Sequence, residues 1–136
     1  LEPYPLDESL QKKLNYCQLL DFDEEILKKI HVSPWGKKIK LNENFILCKE
    51  KIKIENFMSR ECFDLIYFDA FAPSKQKNIW DFKIIKNCYD LLNKDGIIVT
   101  YSSSGDFKRN LKKIGFEISV LKGALGKREM IRAKKI

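Results

Sequence analysis

The chain has 136 residues, 44% hydrophobic and 33% charged, with a formal net charge of +7. That is enough for one domain with its own core and no disulfide framework. No apolar run approaches the ~20 residues of a membrane-spanning helix, and no signal-peptide pattern opens the chain, so no membrane association is expected.

The four cysteines, Cys17, Cys48, Cys62 and Cys88, are scattered without a CxxC pair. Each has apolar neighbours, which predicts buried free thiols in a reducing cytoplasm and argues against a zinc site. His31 is the sole histidine, and without a GxSxG elbow it gives no support to a Ser-His-Asp triad. The charge is unevenly spread. Residues 1–68 hold 11 basic and 12 acidic side chains, whereas residues 107–136 hold 10 basic side chains against Glu117 and Glu129. A concentration of this kind suits a polyanionic partner, with a solvated lysine-rich face as the plainer alternative.

In chain order, Leu1-Glu2 reads as the tail of something begun earlier. Asp7 is a good N-cap, and Leu10, Leu14 and Cys17 follow at the spacing of one helix face. Asp21 or Asp23 caps a second helix carrying Phe22, Ile26, Leu27 and Ile30, with Glu24 and Glu25 early and Lys28 and Lys29 late, as the macrodipole favours. Residues 33–36 break it. Two strands are predicted over 38–41 and 45–49 around an Asn-Glu-Asn turn, then a short helix over 52–58.

Residues 63–73 read FDLIYFDAFAP. The apolar run 65–68 suits a strand buried on both faces in the middle of a parallel sheet, and it ends at Asp69. An acidic residue at the carboxyl end of such a strand lies where open α/β sheets bind ligands. With an aromatic and a proline in the following turn, it could seat a cationic or amine-bearing reactant; an ordinary loop-capping aspartate is the plainer reading. Beyond it the spacing predicts a helix on Phe82, Ile85, Tyr89 and Leu92, a turn at Gly96 and a buried strand over 97–101. A helix on Phe107, Leu111 and Ile114 follows, stopped by Gly115, then strands over 116–121 and 128–133. This order predicts an α/β fold: a mostly parallel sheet finished by an antiparallel C-terminal edge hairpin.

Specific strings narrow the reading. EPYPL at residues 2–6, FDLIYFDAFAP at 63–73, Trp80, GIIVTYS at 96–102, Gly115-Phe116 and GKREM at 126–130 occur together. In this order and spacing the chain resembles, over residues 1 to about 133, the Rossmann-like S-adenosylmethionine-dependent methyltransferases that finish 5-methylaminomethyl-2-thiouridine at the tRNA wobble position. These are the MnmD-type proteins, whose domain also forms the amino-terminal half of bifunctional MnmC. The resemblance implies a single, partial methyltransferase domain over residues 1–136, cytoplasmic, with S-adenosylmethionine as cofactor and tRNA as partner. It also implies an FAD-dependent oxidoreductase domain or a partner enzyme that supplies the aminomethyl substrate.

Carried onto matching positions, the resemblance gives Glu2 to the ribose hydroxyls of the cofactor. It puts Asp69 beside the transferring methyl group and the substrate amine, with Ala70 and Phe71 lining the cofactor and Phe71 flanking the sulfonium or the uracil ring. Pro73, Trp80, Lys127 and Arg128 become RNA-facing residues, the last two as phosphate contacts. No metal is implied. Several positions depart from the family pattern. No glycine-rich loop follows an amino-terminal strand, so the chain reads as lacking strand one and most of strand two of that fold. Lys51 stands where an acidic residue near adenine is usual, Ser104 replaces a lysine common after the TYS strand, and residues 76–79 lack the usual Pro-Glu. Two alternatives stay open: an amino-methyltransferase of the same fold with another substrate, and a non-catalytic RNA-binding remnant.

Overall fold

The computed structural model describes residues 1–123, 126 and 128–136. Two compact units divide the chain, Leu1–Phe57 and Met58–Ile136.

The first unit opens with α1 (Glu8–Gln11), where the Asp7 carboxylate accepts from the Leu10 N–H at 3.0 Å. The helix does not continue to Cys17 as its periodicity suggested. It stops after one turn, and α2 (Tyr16–Leu20) begins anew after Asn15. So short a segment cannot sustain a helix on propensity, and Asn15 is a poor residue for bridging the two. Asp21 is not the cap of the next helix: it takes a left-handed conformation (φ 49°) at the end of α2. Asp23 caps α3 (Glu24–Val32), accepting from Glu25 N–H at 2.9 Å. The far end of α3 is closed by Lys49, whose ammonium donates to the Ile30 and His31 carbonyls at 2.7 and 2.8 Å and sits 4.8 Å from the centre of the Trp35 ring. Strands β1 (Lys38–Asn42) and β2 (Phe45–Cys48) form the expected antiparallel hairpin. The helix expected over 52–58 is a single 3₁₀ turn, Ile54–Asn56, because Lys53 and Phe57 on either side are extended.

In the second unit, β3 (Phe63–Tyr67), α4 (Phe82–Leu91), β4 (Leu92–Thr100), α5 (Gly105–Ile114), β5 (Phe116–Lys122) and β6 (Glu129–Lys135) follow one another. The sheet order is β3-β4-β6-β5. β3 and β4 are parallel, and β6 is antiparallel to both β4 and β5. Three strands thus run one way, and the C-terminal hairpin inserts its second strand, β6, inside the first. Ile98, Ile131, Ala133 and Phe116 pack with Ile84, Ile85 and Cys88 of α4 and Phe107 and Leu111 of α5 to make the core.

Two expectations need correction. β3 is an edge strand of this sheet, with Leu65 and Tyr67 exposed on one face and Phe68 buried beneath the other. An apolar run reports burial potential, not position in a sheet. Cys48 and Cys62 are exposed; only Cys17 and Cys88 are buried, and all four are thiols outside any disulfide. The turn at Gly96 is a bulge inside a longer strand. Phe63 pairs with Leu92 and Leu65 with Ile97, so residues 93–96 loop out, and Asp95 adopts φ 65°. A Cβ on Gly96 would lie 2.8 Å from the Asn93 carbonyl oxygen, so glycine is required there.

Candidate active site at the end of the edge strand

The parallel strands β3 and β4 end side by side, which brings residues 69–73 next to the Tyr101–Ser104 segment. The Phe68 N–H donates to the Val99 carbonyl at 2.8 Å, the last ladder bond before the chain leaves the sheet. The backbone is then held at three successive carbonyls. The Tyr101 hydroxyl donates to the Ala70 carbonyl at 2.5 Å, and the Trp80 Nε1–H donates to the Phe71 carbonyl at 2.8 Å. The Ala72 carbonyl accepts from Lys75 and Gln76 N–H at 2.7 and 3.0 Å. With its carbonyls satisfied from within, the turn leaves Asp69 and Phe71 exposed, Phe71 at 76%, while Ala70 and Pro73 are half-buried.

Trp80 is the base of this arrangement. It is 7% exposed and meets Phe68, Phe107 and Tyr101 edge-to-face, with ring centroids 5.1, 5.1 and 6.1 Å away. Such geometries set the positive edge of one ring against the negative face of another. Trp80 was expected at the RNA surface; its place here is under the turn, with its one N–H engaged.

Burial raises the Tyr101 phenol above its ordinary range and the Asp69 charge raises it further, so the hydroxyl stays protonated as a donor. Ser104, the departure from the lysine of the family pattern, caps α5 by accepting from the Phe107 N–H at 3.4 Å. The hydrogen bond from Tyr101 to the turn is what sequence reasoning passed over. The signal was present as the polar residues that end the TYS strand, in register with the DAFAP turn.

The remaining predicted residues have other surroundings within their own units. Glu2 belongs to the first unit, where its carboxylate accepts from the Tyr4 N–H at 2.8 Å and its own N–H donates to the Glu50 carbonyl. Arg128 is exposed at the start of β6, its carbonyl accepting from Gly123 N–H at 3.1 Å. Lys127 lies outside the described residues. A concavity of about 440 Å³ lies in the first unit among α1, α2 and α3, around Leu14, Cys17, Leu27 and His31. Its rim carries the exposed Glu8–Lys12 and Glu25–Lys28 ion pairs, and among the described residues no group of three or more His, Cys, Asp or Glu could hold a metal.

An α/β sheet with an antiparallel C-terminal hairpin and an acidic turn at the end of β3 is the arrangement of Rossmann-like methyltransferases. The chain belongs to the family of S-adenosyl-L-methionine-dependent methyltransferases, whose model matches residues 11–136. Among characterised relatives, it is 40% identical over 68 residues to the tRNA 5-methylaminomethyl-2-thiouridine biosynthesis bifunctional protein MnmC of Burkholderia thailandensis, covering 50% of this chain and 10% of that protein. It is 31% identical over 146 residues to the same-named protein of Campylobacter jejuni, covering 90% of this chain and 24% of that one. The chain therefore spans a quarter or less of the length of these relatives. Its fold is similar to the crystal structure of MnmC2 from Aquifex aeolicus, with a TM-score of 0.64 and 21% identity over 81% of this chain and 34% of that one. No helix among the described residues is long and apolar enough to cross a membrane.

Proposed function

We propose that this chain is part of a cytoplasmic methyltransferase domain that transfers a methyl group from S-adenosylmethionine to the 5-aminomethyl group of wobble 2-thiouridine in tRNA. The observation that carries this reading is the 69–73 turn, pinned from beneath by Tyr101 and Trp80 so that Asp69 and Phe71 face outward. A carboxylate accepts hydrogen bonds only, and an aromatic face attracts a cation, so this donor set suits a sulfonium and an amine together. Asp69, Ala70 and Phe71 would line the sulfonium side of the cofactor, and Glu2 would accept from its ribose hydroxyls. When bound, the cofactor supplies a methyl group already activated by positive sulfur.

The protein's share is then positioning. An alkylamine titrates near ~10.4, so the substrate nitrogen arrives mostly protonated. Asp69 would hold that nitrogen by a hydrogen bond, aim its lone pair once the proton has left to solvent, and offset the positive charge that returns to it on methylation. Orientation, not proton abstraction, is the role assigned to it. Arg128, at the same end of the sheet, would contact a tRNA phosphate, and Lys127 is assigned the same role. An FAD-dependent oxidoreductase domain or a partner enzyme would deliver the aminomethyl group.

The test is methyl transfer by the full-length protein from labelled S-adenosylmethionine to tRNA carrying 5-aminomethyl-2-thiouridine, with nucleosides separated after digestion. Label in 5-methylaminomethyl-2-thiouridine is the expected result. Transfer to other amines but not to this tRNA would favour a different substrate within the same fold. No transfer to any amine would leave the RNA-binding remnant.

A further inference from the structure

We infer that Tyr101 is a positioning residue for methyl transfer: by donating its hydroxyl to the Ala70 carbonyl it fixes the turn that presents Asp69 and Phe71. This deepens the proposed function and rests on it. The inference starts from backbone geometry. The Ala70 carbonyl belongs to the peptide that joins Ala70 to Phe71, one residue beyond Asp69, so rotation there alters the backbone torsions between the two side chains and changes how they are presented together. Two inward hydrogen bonds on adjacent carbonyls, Tyr101 to Ala70 at 2.5 Å and Trp80 to Phe71 at 2.8 Å, oppose that rotation. A side chain held to a productive geometry must be supported by partners whose own rotamers are locked.

Tyr101 meets that condition. It directly follows β4, whose residues Ile98 and Thr100 are buried, and its ring lies against Trp80. Trp80 is in turn clasped by Phe68 and Phe107. The anchor thus runs from the sheet and α5 through two aromatic rings to two peptide carbonyls. Phe68 directly follows β3, so both sides of the turn are fixed to one cluster. The phenol remains a donor throughout the neutral range, because burial and the nearby Asp69 charge both favour its protonated form.

The experiment uses the full-length protein and Tyr101→Phe, which keeps the ring against Trp80 and removes only the hydroxyl. Amide hydrogen exchange at Lys75 and Gln76, whose N–H groups close the turn on Ala72, reports its order without any turnover. Those amides are expected to exchange about 5-fold faster or more in the variant, with the exchange of β4 and β6 unchanged. The kinetic readout is a double-mutant cycle with Asp69→Asn. Tyr101→Phe alone is expected to reduce kcat about 10-fold with KM for tRNA within about 2-fold, and the double variant to be no more than about 2-fold slower than Asp69→Asn alone. A hydroxyl that served only global stability would leave the two effects multiplicative. Unchanged exchange at Lys75 and Gln76, or multiplicative rate losses, would overturn the inference. If the wild-type protein methylates no amine, the proposed function falls and the inferred role in transfer falls with it. Exchange at Lys75 and Gln76 would then still decide whether Tyr101 anchors the turn.

Discussion

Replacing Trp80 by phenylalanine separates two roles for that residue. Its indole N–H is the donor to the Phe71 carbonyl, and its removal leaves that carbonyl short of a partner, a loss of about 1 kcal/mol. The smaller ring also leaves a void between Phe68, Phe107 and Tyr101. Full truncation of a buried tryptophan costs about 3–5 kcal/mol, and phenylalanine refills much of that space, so about 1–2 kcal/mol remains. The total is about 2–3 kcal/mol. With a urea slope of about 1–2 kcal/mol per molar for a unit of this size, the midpoint of the second unit's transition should fall by roughly 1–3 M. Far-UV circular dichroism of the full-length protein reads this, and the kinetic assay, run where the variant is folded, should give a KM for tRNA within about 2-fold of wild type. A tryptophan stacked on an RNA base would behave in the opposite way: base stacking contributes about 1–3 kcal/mol, so KM would rise about 10-fold or more at unaltered stability. That second outcome would refute the placement of Trp80 as the base of the turn.

Asp69→Asn is expected to keep the circular dichroism spectrum of the wild type and to reduce single-turnover methyl transfer by roughly 10²-fold or more; an unchanged rate would make Asp69 a loop cap. The pair Lys127→Ala and Arg128→Ala should weaken tRNA binding and flatten its dependence on log salt by about one to two phosphate contacts, and an unaltered slope would move the RNA elsewhere. Burial pushes the Cys88 thiol up to about 12, so the unfolded chain ionises first: this contribution is whole below pH ~9 and is lost as the pH rises toward 12. Urea midpoints at pH 8 and pH 10.5 should therefore differ more in the wild type than in Cys88→Ala. Lys135→Met should cost about 2–4 kcal/mol in urea denaturation, because the ammonium donates to the Tyr89 and Leu92 carbonyls at 2.9 and 2.7 Å and lies 4.7 Å from the Tyr89 ring centre; a change below about 0.5 kcal/mol would show that water replaces it.

The elements best legible in the sequence were those with both a periodic face and an end signal. Gly115 closes α5 and takes φ 113° as its position predicts. Asp23 marks the start of α3 in the same way. Where the face was present without an end, the reading failed: Leu10, Leu14 and Cys17 share a helical spacing, yet the chain breaks between the first and last of them. The position of β3 was not legible at all, since Leu65 and Tyr67 are as apolar as a central strand requires and are nevertheless exposed. At the site, Asp69 and its turn stood out by composition. The partners that hold the turn did not, because Tyr101 and Trp80 come from 31 and 9 residues away and meet it only through the parallel register of β3 and β4.

The basic tail shows what topology adds to composition. In sequence, residues 107–136 form one block of positive charge. In the fold, α5 starts at the end of the sheet that carries Asp69 and descends to the other, β5 climbs back, and β6 descends again. Lys112, Lys113, Lys134 and Lys135 therefore fall at the end away from the turn. There, Lys112 and Lys113 complement the α5 dipole, Lys134 pairs with Asp95 at 2.7 Å, and Lys135 caps α4. At the Asp69 end stand Lys108, Lys122 and Arg128, of which Lys108 is paired with Glu129 at 3.1 Å. Arg109 in α5 pairs with Asp106 and Arg132 lies exposed midway along β6; at the Asp69 end, Arg128 and Lys122 are left to meet a phosphate among the described residues, about two and three strand spacings, or roughly 10 and 15 Å, across the sheet from β3. Much of the block stabilises the fold, so the second unit's contribution to the salt slope should be that of a few phosphate contacts and not of eight. Arginine at position 128 should carry most of it, because its planar fork grips two phosphate oxygens where a lysine offers one point of charge.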